Sequence, residues 1–136
     1  MNPGSSSSKA AGLLTVLVVD DSITMRRSLE MSLQLGGYGV VTAEDGVRAM
    51  ALLRGGLRPD LVLTDIMMPN MDGVELIRQA RQLLRFTPIV ALTTRSQSVM
   101  RAQGQAAGAT AWLLKPTGGE ELMDLVSRFI YRAPPA

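Results

Sequence analysis

Five short apolar runs alternate along the chain with stretches of helical spacing, and this alternation leaves few folds open. The runs are Leu13–Val19, Gly39–Ala43, Leu61–Asp65, Pro88–Thr93 and Ala111–Leu114, each bounded by turn-forming or polar residues. The stretches LTVLVV, LVLT and IVALT are apolar at every other position and also in between. Such strands are buried on both faces, as in a parallel sheet covered by helices. Between them, Met25, Leu29 and Leu33 recur every four residues and Gly36-Gly37 stop the pattern. Val47, Met50 and Leu53 mark a second helix, ended by Gly55-Gly56. Val74, Ile77 and Leu84 mark a third from about Asp72, and residues 96–107 predict a fourth with an alanine face of Ala102, Ala106 and Ala107. Leu122, Leu125, Val126, Phe129 and Ile130 fall on one face of a fifth helix. Glu120-Glu121 sit in its first turn, where the helix dipole favours anions. A strand–helix unit repeated five times with short connections predicts an α/β fold: one doubly wound parallel sheet with helices on both sides.

With 136 residues, 46% of them hydrophobic, the chain has the size and the apolar content for one domain with a real core. The expected division is a tail over residues 1–12, a domain over 13–131 and a second tail over 132–136. The first tail, MNPGSSSSKAAG, has no apolar stretch of the secretory kind. No apolar run approaches the roughly 18 residues of a membrane span. A cytoplasmic, monomeric protein is expected. The net charge of +2 is spread thinly: Arg26-Arg27 and the arginines at 78, 81, 85, 95 and 101 form no stripe, and they read as solvated helix faces. Aromatic residues make up 4%, too few for a base-stacking platform. Nucleic acid is therefore not an expected partner. The chain contains no cysteine and no histidine. Disulfides, thiolate chemistry, Cys- or His-bound metals and serine–histidine hydrolysis are excluded. Carboxylates, hydroxyls, lysine and a hard metal ion remain.

The first run ends in Asp20-Asp21 and the third in Thr64-Asp65. Open α/β sheets bind ligands beyond the carboxyl ends of their strands, where the strand order reverses. In the order 2-1-3-4-5, strands one and three are neighbours across that point, so Asp20, Asp21 and Asp65 crowd together. Such a cluster needs a cation, a shared proton or a lysine. Oxygen ligands alone select Mg²⁺, or Mn²⁺. The plain alternative for the pair is capping, with Asp21 or Ser22 closing the helix that begins near Ile23. Strand four ends in Thr93-Thr94, whose hydroxyl either faces the same pocket or caps the next helix. Strand five ends in Lys115-Pro116. Lys115 is the only lysine after Lys9, whereas removing those two from 14 basic residues leaves twelve arginines. A lysine so placed is a natural counter-ion to three acids, or else a surface lysine whose stem lies on apolar neighbours. Acids, a hydroxyl and a lysine on four strand ends suit in-line phosphorylation of a carboxylate.

The blocks VLVVDDSITMRRSL, AEDGVRAM, DLVLTDIMMPNMDG, PIVALTT and AWLLKP occur in this order. Together they resemble the receiver domain of two-component response regulators, in particular the stand-alone chemotaxis type (CheY-like). The likeness runs from Leu13 to Tyr131. It implies the same (βα)5 sheet in the flavodoxin-like order 2-1-3-4-5. It implies Asp65 as the phosphoacceptor, and Asp20, Asp21 and Asp65 as Mg²⁺ ligands with the backbone carbonyl of Met67. It implies Lys115 as a contact of the phosphoryl oxygens, Thr93 as the switch hydroxyl and a cis Lys115–Pro116 bond. Trp112 stands where the family has its switch aromatic, and its alternative is a packing residue on an edge strand. Met67, Arg95 and Thr117 depart from the chemotaxis prototype, and the first two flank the phosphoryl group and bear on its lifetime.

The function that follows is a single-domain response regulator. A histidine kinase supplies the phosphoryl group, and the chain catalyses only its own phosphorylation and dephosphorylation. The partner-binding face is helix four, strand five and helix five, read by a flagellar motor switch protein or a phosphatase. A phosphorelay intermediate, a phosphate sink and the receiver portion of a larger regulator are the alternatives. A phosphatase-like enzyme with an aspartyl phosphate would carry its nucleophile on strand one and a cap insertion, and a pure adaptor would not need the full acid, hydroxyl and lysine set.

Overall fold

The computed structural model describes residues 13–94 and 99–130. Strands β1 (Thr15–Val19), β2 (Gly39–Ala43), β3 (Leu61–Thr64), β4 (Ile89–Thr93) and β5 (Ala111–Leu114) alternate with helices α1 (Ile23–Leu35), α2 (Gly46–Arg54), α3 (Gly73–Leu83), α4 (Arg101–Ala107) and α5 (Gly119–Ser127). The sheet is parallel throughout, in the order β2-β1-β3-β4-β5. The predicted topology is therefore the observed one. Among the described residues no helix is long and apolar enough to cross a membrane.

The apolar content of the central strands is explained by two cores, one on each face of the sheet. Val16, Val18, Leu61, Leu63, Val90 and Leu92 pack with Leu29 and Leu33 of α1 and Leu122, Leu125 and Val126 of α5. The intervening residues Leu17, Val19, Val62, Ile89 and Ala91 pack with Met50 and Leu53 of α2 and Leu76, Ile77 and Ala80 of α3. Strand residues point alternately to opposite faces, so each central strand feeds both cores.

Two predicted strand ends shift by a residue or two for local reasons. Leu13 is exposed, and pairing with β2 begins only at Thr15. Pro88 has no N–H to give, and β4 starts at Ile89. The second helix keeps Met50 and Leu53 inside, but Val47 is half exposed. The described part of α4 departs more from expectation. Ala102 and Ala106 are exposed, Ala107 packs partly buried against the core, and the fully buried residue is Gly104. Positions 95–98, including the start of the predicted fourth helix and Arg95, lie outside the described residues.

The arginines are not all solvated. The Arg81 guanidinium donates to the carbonyls of Gly108, Leu84 and Thr87 and to Thr110 Oγ1. It joins the end of α3 to the turn between α4 and β5. Burial holds its pKa below the usual guanidinium value. Arg26 likewise donates to the carbonyl of Asp20 at 2.7 Å.

Candidate functional site

Strand register builds the site. Val19 of β1 pairs with Thr64 of β3, so the next residue on each strand is an aspartate at the same height on the sheet edge. The Asp65 N–H still bonds the carbonyl of Val19 at 2.8 Å, and the Asp20 N–H bonds Ala43 at 3.2 Å. Both carboxylates are buried, at 6% and 2% exposure, whereas Asp21 is exposed. One carboxylate oxygen from each of Asp20, Asp21 and Asp65 lies within 4.8 Å of the others. The expected acidic cluster is thus assembled.

Lys115 completes it from β5. Its N–H continues the ladder to Thr93 O at 2.8 Å. Its Nζ lies 3.3 Å from Asp65 Oδ1 and 3.8 Å from Asp20 Oδ2. Asp65 Oδ1 also accepts from the Ile66 N–H at 2.8 Å, which leaves Oδ2 as the less engaged oxygen. One ammonium among three carboxylates leaves negative charge in excess. Burial is the main cause that raises the Asp20 pKa; the Ser22 N–H bond opposes it, the Asp65 and Asp21 charges add to it, and Lys115 opposes it too. An all-oxygen set with excess negative charge fits a hard divalent cation.

The capping alternative is resolved in favour of Ser22. Its Oγ accepts from Met25 N at 3.3 Å and closes α1. Asp20 Oδ1 bonds the Ser22 N–H, and Asp21 caps nothing there. The other site residues are placed as follows. Thr93 is buried at the end of β4, and its hydroxyl donates to Leu113 O at 3.3 Å, toward the β5 backbone. Met67 follows in the loop after Asp65 and is 58% exposed. Thr117 is tied to Glu121 by its N–H and its hydroxyl. The expected cis Lys115–Pro116 bond is corrected: no cis peptide occurs among the described residues. The trans isomer is intrinsically favoured before proline, and with it Lys115 already reaches Asp65.

Trp112 is buried in the α2–α3–α4 core at 6% exposure, and its indole N–H has no hydrogen-bond partner. Its ring fills the space above Gly104, where an added Cβ would lie 2.1 Å from Cζ3 and 2.4 Å from Cε3. The ring thus lies inward. Gly104→Ala is expected to drive it outward, with a red shift of the emission of this single tryptophan and greater quenching by acrylamide, at a cost of about 1–3 kcal/mol. Unchanged emission would show that α4 yields instead.

Two further residues frame the site. Gly73 begins α3, and its N–H bonds Ile66 O at 2.7 Å. A Cβ there would lie 2.3 Å from the carbonyl oxygen of Asp65. Asp45 caps α2 and reaches Asn70. The AEDG stretch carried the first half of that signal, since an aspartate before a helix is a cap; the second half is a contact 25 residues away.

The family model of the response regulator receiver domain matches residues 16–127. The chain belongs to that family. This receiver domain is 42% identical over 120 residues to the response regulator MprA of Mycobacterium sp. (strain KMS), a match covering 88% of this chain and 52% of that relative. It thus spans about half the length of the curated relatives it matches. Among solved structures it is similar to the chemotaxis response regulator CheY4 of Vibrio cholerae, at 39% identity and a TM-score of 0.79, covering 87% of this chain and 99% of that one. It is also similar to the response regulator TrrA of Thermotoga maritima, solved in complex with Mg²⁺-BeF, at 32% identity and a TM-score of 0.76, covering 87% and 100% of the two chains.

Proposed function

We propose that this receiver takes a phosphoryl group from a histidine kinase onto Asp65 and, so modified, changes its binding to a partner protein in the cytoplasm. The observation that carries the reading is the junction of Asp65 with Lys115 and the Asp20–Asp21 pair at one sheet edge. Asp65 Oδ2 attacks the phosphorus in line, an O–P bond forms, and the P–N bond to the donor imidazole breaks. The donor ring, protonated from solvent at its other nitrogen before transfer, leaves as neutral imidazole. Lys115 neutralises charge beside the transferred oxygens, and the Ile66 N–H keeps the nucleophile oriented. Asp20, Asp21 and Asp65, with the Met67 carbonyl, would hold Mg²⁺ or Mn²⁺, which supplies charge neutralisation to the phosphoryl oxygens when bound. The chain is no enzyme on other substrates in this reading, since the acceptor is its own side chain.

Thr93 and Trp112 are the switch residues. Withdrawing the Thr93 hydroxyl from Leu113 O toward a phosphoryl oxygen changes what the β5 backbone and the neighbouring Trp112 hold on to. A phosphoryl group thereby favours one of two packings. The output face is α4–β5–α5. A cleft of about 500 Å³ there is lined by Trp112, Leu114, Glu121, Asp124 and Arg128 among others, and Leu114 is half exposed. The chemotaxis form of the reading, with a flagellar motor switch protein or a phosphatase as partner, is supported by the similarity to CheY4 over almost all of that chain. A second reading, the receiver portion of a longer regulator, is supported by the MprA relatives, of which this chain spans 52%.

Incubation with a small-molecule phosphodonor and Mg²⁺ is expected to add one phosphoryl group by intact mass, labile to hydroxylamine and lost when EDTA is included. No adduct with any such donor, or an adduct indifferent to EDTA, would overturn the proposal. Capture of a motor switch protein by the phosphorylated form alone would support the chemotaxis form.

A further inference from the structure

The loop that follows Asp65 is fastened from outside the site, and the fastener is Asp45. Its side chain is 3% exposed. Oδ1 accepts from the Arg48 N–H at 2.8 Å, which caps α2. Oδ2 accepts from Arg48 Nη1 at 2.9 Å and from Asn70 Nδ2 at 3.0 Å. The Arg48 N–H is the main cause that holds the Asp45 pKa below the usual carboxylate range, so it remains an acceptor at neutral pH. Asn70 is the one non-glycine residue with positive φ among the described residues, at 71°. An αL conformation outside glycine persists where its surroundings over-determine it.

A second contact comes from the neighbouring residue. A Cβ on Gly46 would lie 2.9 Å from Met71 Cβ and 3.0 Å from its carbonyl oxygen, so the start of α2 is seated directly on the turn at Asn70-Met71. The loop is closed at its far end by the Gly73 N–H on Ile66 O. Residues 66–72 are therefore held at both sides, and Asp45 supplies the polar half of the outer hold.

We infer that Asp45 is a positioning residue: through Asn70 it fixes the 66–72 loop, and so the Met67 backbone that the loop carries two residues after Asp65, without touching the site. The inference rests on the phosphoacceptor reading for its consequence in phosphorylation, though not for its structural content. Groups that orient metal ligands from behind typically change affinity or activity 10–100-fold when removed.

The test uses variants that separate the three jobs of Asp45. Asp45→Asn keeps a competent cap, because Asn caps helices as well as Asp, but turns an amide toward the Asn70 amide. Asn70→Ala leaves the cap and every charge in place but adds the strain of an alanine at φ 71°, so the double variant, which keeps a turn-tolerant residue there, is what isolates the contact. Asp45→Asn combined with Asn70→Asp moves the carboxylate across the contact and restores a donor–acceptor pair at unchanged total charge. Mg²⁺ affinity by calorimetry is expected to fall about tenfold in Asn70→Ala and in Asp45→Asn, and to return toward wild type in the double variant. Amide hydrogen exchange of residues 67–71 in the metal-free protein is expected to quicken in the single variants and to slow again in the double one. Phosphorylation is expected to slow through a raised Mg²⁺ requirement, with little change at saturating Mg²⁺. Wild-type Mg²⁺ affinity and wild-type loop exchange in Asn70→Ala would overturn the inference. So would a double variant no better than Asp45→Asn. Failure of the wild-type chain to accept a phosphoryl group would instead count against the phosphoacceptor reading, and the exchange measurement would still decide the role of Asp45.

Discussion

Asp65→Asn is expected to abolish phosphoryl uptake while making the metal-free protein more stable. The amide is close in shape to the carboxylate, and its oxygen can still accept from the Ile66 N–H at Oδ1. It is no nucleophile toward phosphorus. A loss of at least about 10³-fold in phosphorylation rate corresponds to ~4 kcal/mol of barrier. Stability moves the other way because the cluster carries surplus negative charge. Lys115 lies 3.3 Å from Asp65 and 3.8 Å from Asp20, so removing one carboxylate leaves the ammonium a partner and removes one source of repulsion on Asp20. A gain of about 1 kcal/mol, or roughly 3–5 °C in Tm, is expected in EDTA. With Mg²⁺ present the order is expected to narrow or reverse, because the wild-type site binds the cation more tightly. Thermal melts of both proteins with and without Mg²⁺, alongside the intact-mass assay, check each part. Phosphoryl uptake by the Asn variant at the wild-type rate would remove Asp65 as the acceptor. A variant less stable in EDTA would show that the Lys115 bridge outweighs the repulsion.

The contrast between what could be read from the sequence and what could not follows the range of the interactions. The central strands β1, β3 and β4 were legible because burial on both faces leaves a short, almost wholly apolar run. The site residues were legible because Asp20, Asp65, Thr93 and Lys115 each end or follow such a run, and a parallel sheet brings those ends to one edge. Thr93 was placed, though not the direction of its hydroxyl, which a bond to a neighbouring strand decides. Arg81 looked like any solvated helix arginine because its carbonyl partner Gly108 is 27 residues away. Of the alanine face expected for α4, only Ala107 packs against the core, because the ring of Trp112 occupies the space over Gly104 and leaves no room there for a Cβ. Asp45 and Asn70 are individually ordinary, a cap and a turn, and their coupling exists only after folding.

Gly73 is the position where fold and site are least separable, and Gly73→Ala is expected to damage both. Its Cβ would fall 2.3 Å from the Asp65 carbonyl oxygen, 2.8 Å from Ile66 Cα and 2.9 Å from Ile66 Cδ1. The first two are backbone atoms in the segment leaving β3, and they cannot swing aside as a side-chain tip can. Asp65 is anchored there by its N–H to Val19 O, and Ile66 is fully buried in the core. Relief must come from moving the start of α3 outward, which breaks the Gly73 N–H bond to Ile66 O and opens the loop. Alanine is the better helix former, and at the first position of α3 that preference favours the variant by less than about 1 kcal/mol. The clash outweighs it. A net loss of about 3 kcal/mol is expected, the upper end for added volume in a packed site, with Tm lower by roughly 10 °C or more. Mg²⁺ affinity and phosphorylation are expected to fall together, since the loop that opens runs directly on from Asp65. Urea titration gives the stability, calorimetry the affinity and intact mass the phosphorylation. A variant with wild-type midpoint and wild-type Mg²⁺ affinity would mean that the loop closes without the contact between Gly73 and the Asp65 backbone, and the account of how β3 presents its carboxylate would then fail.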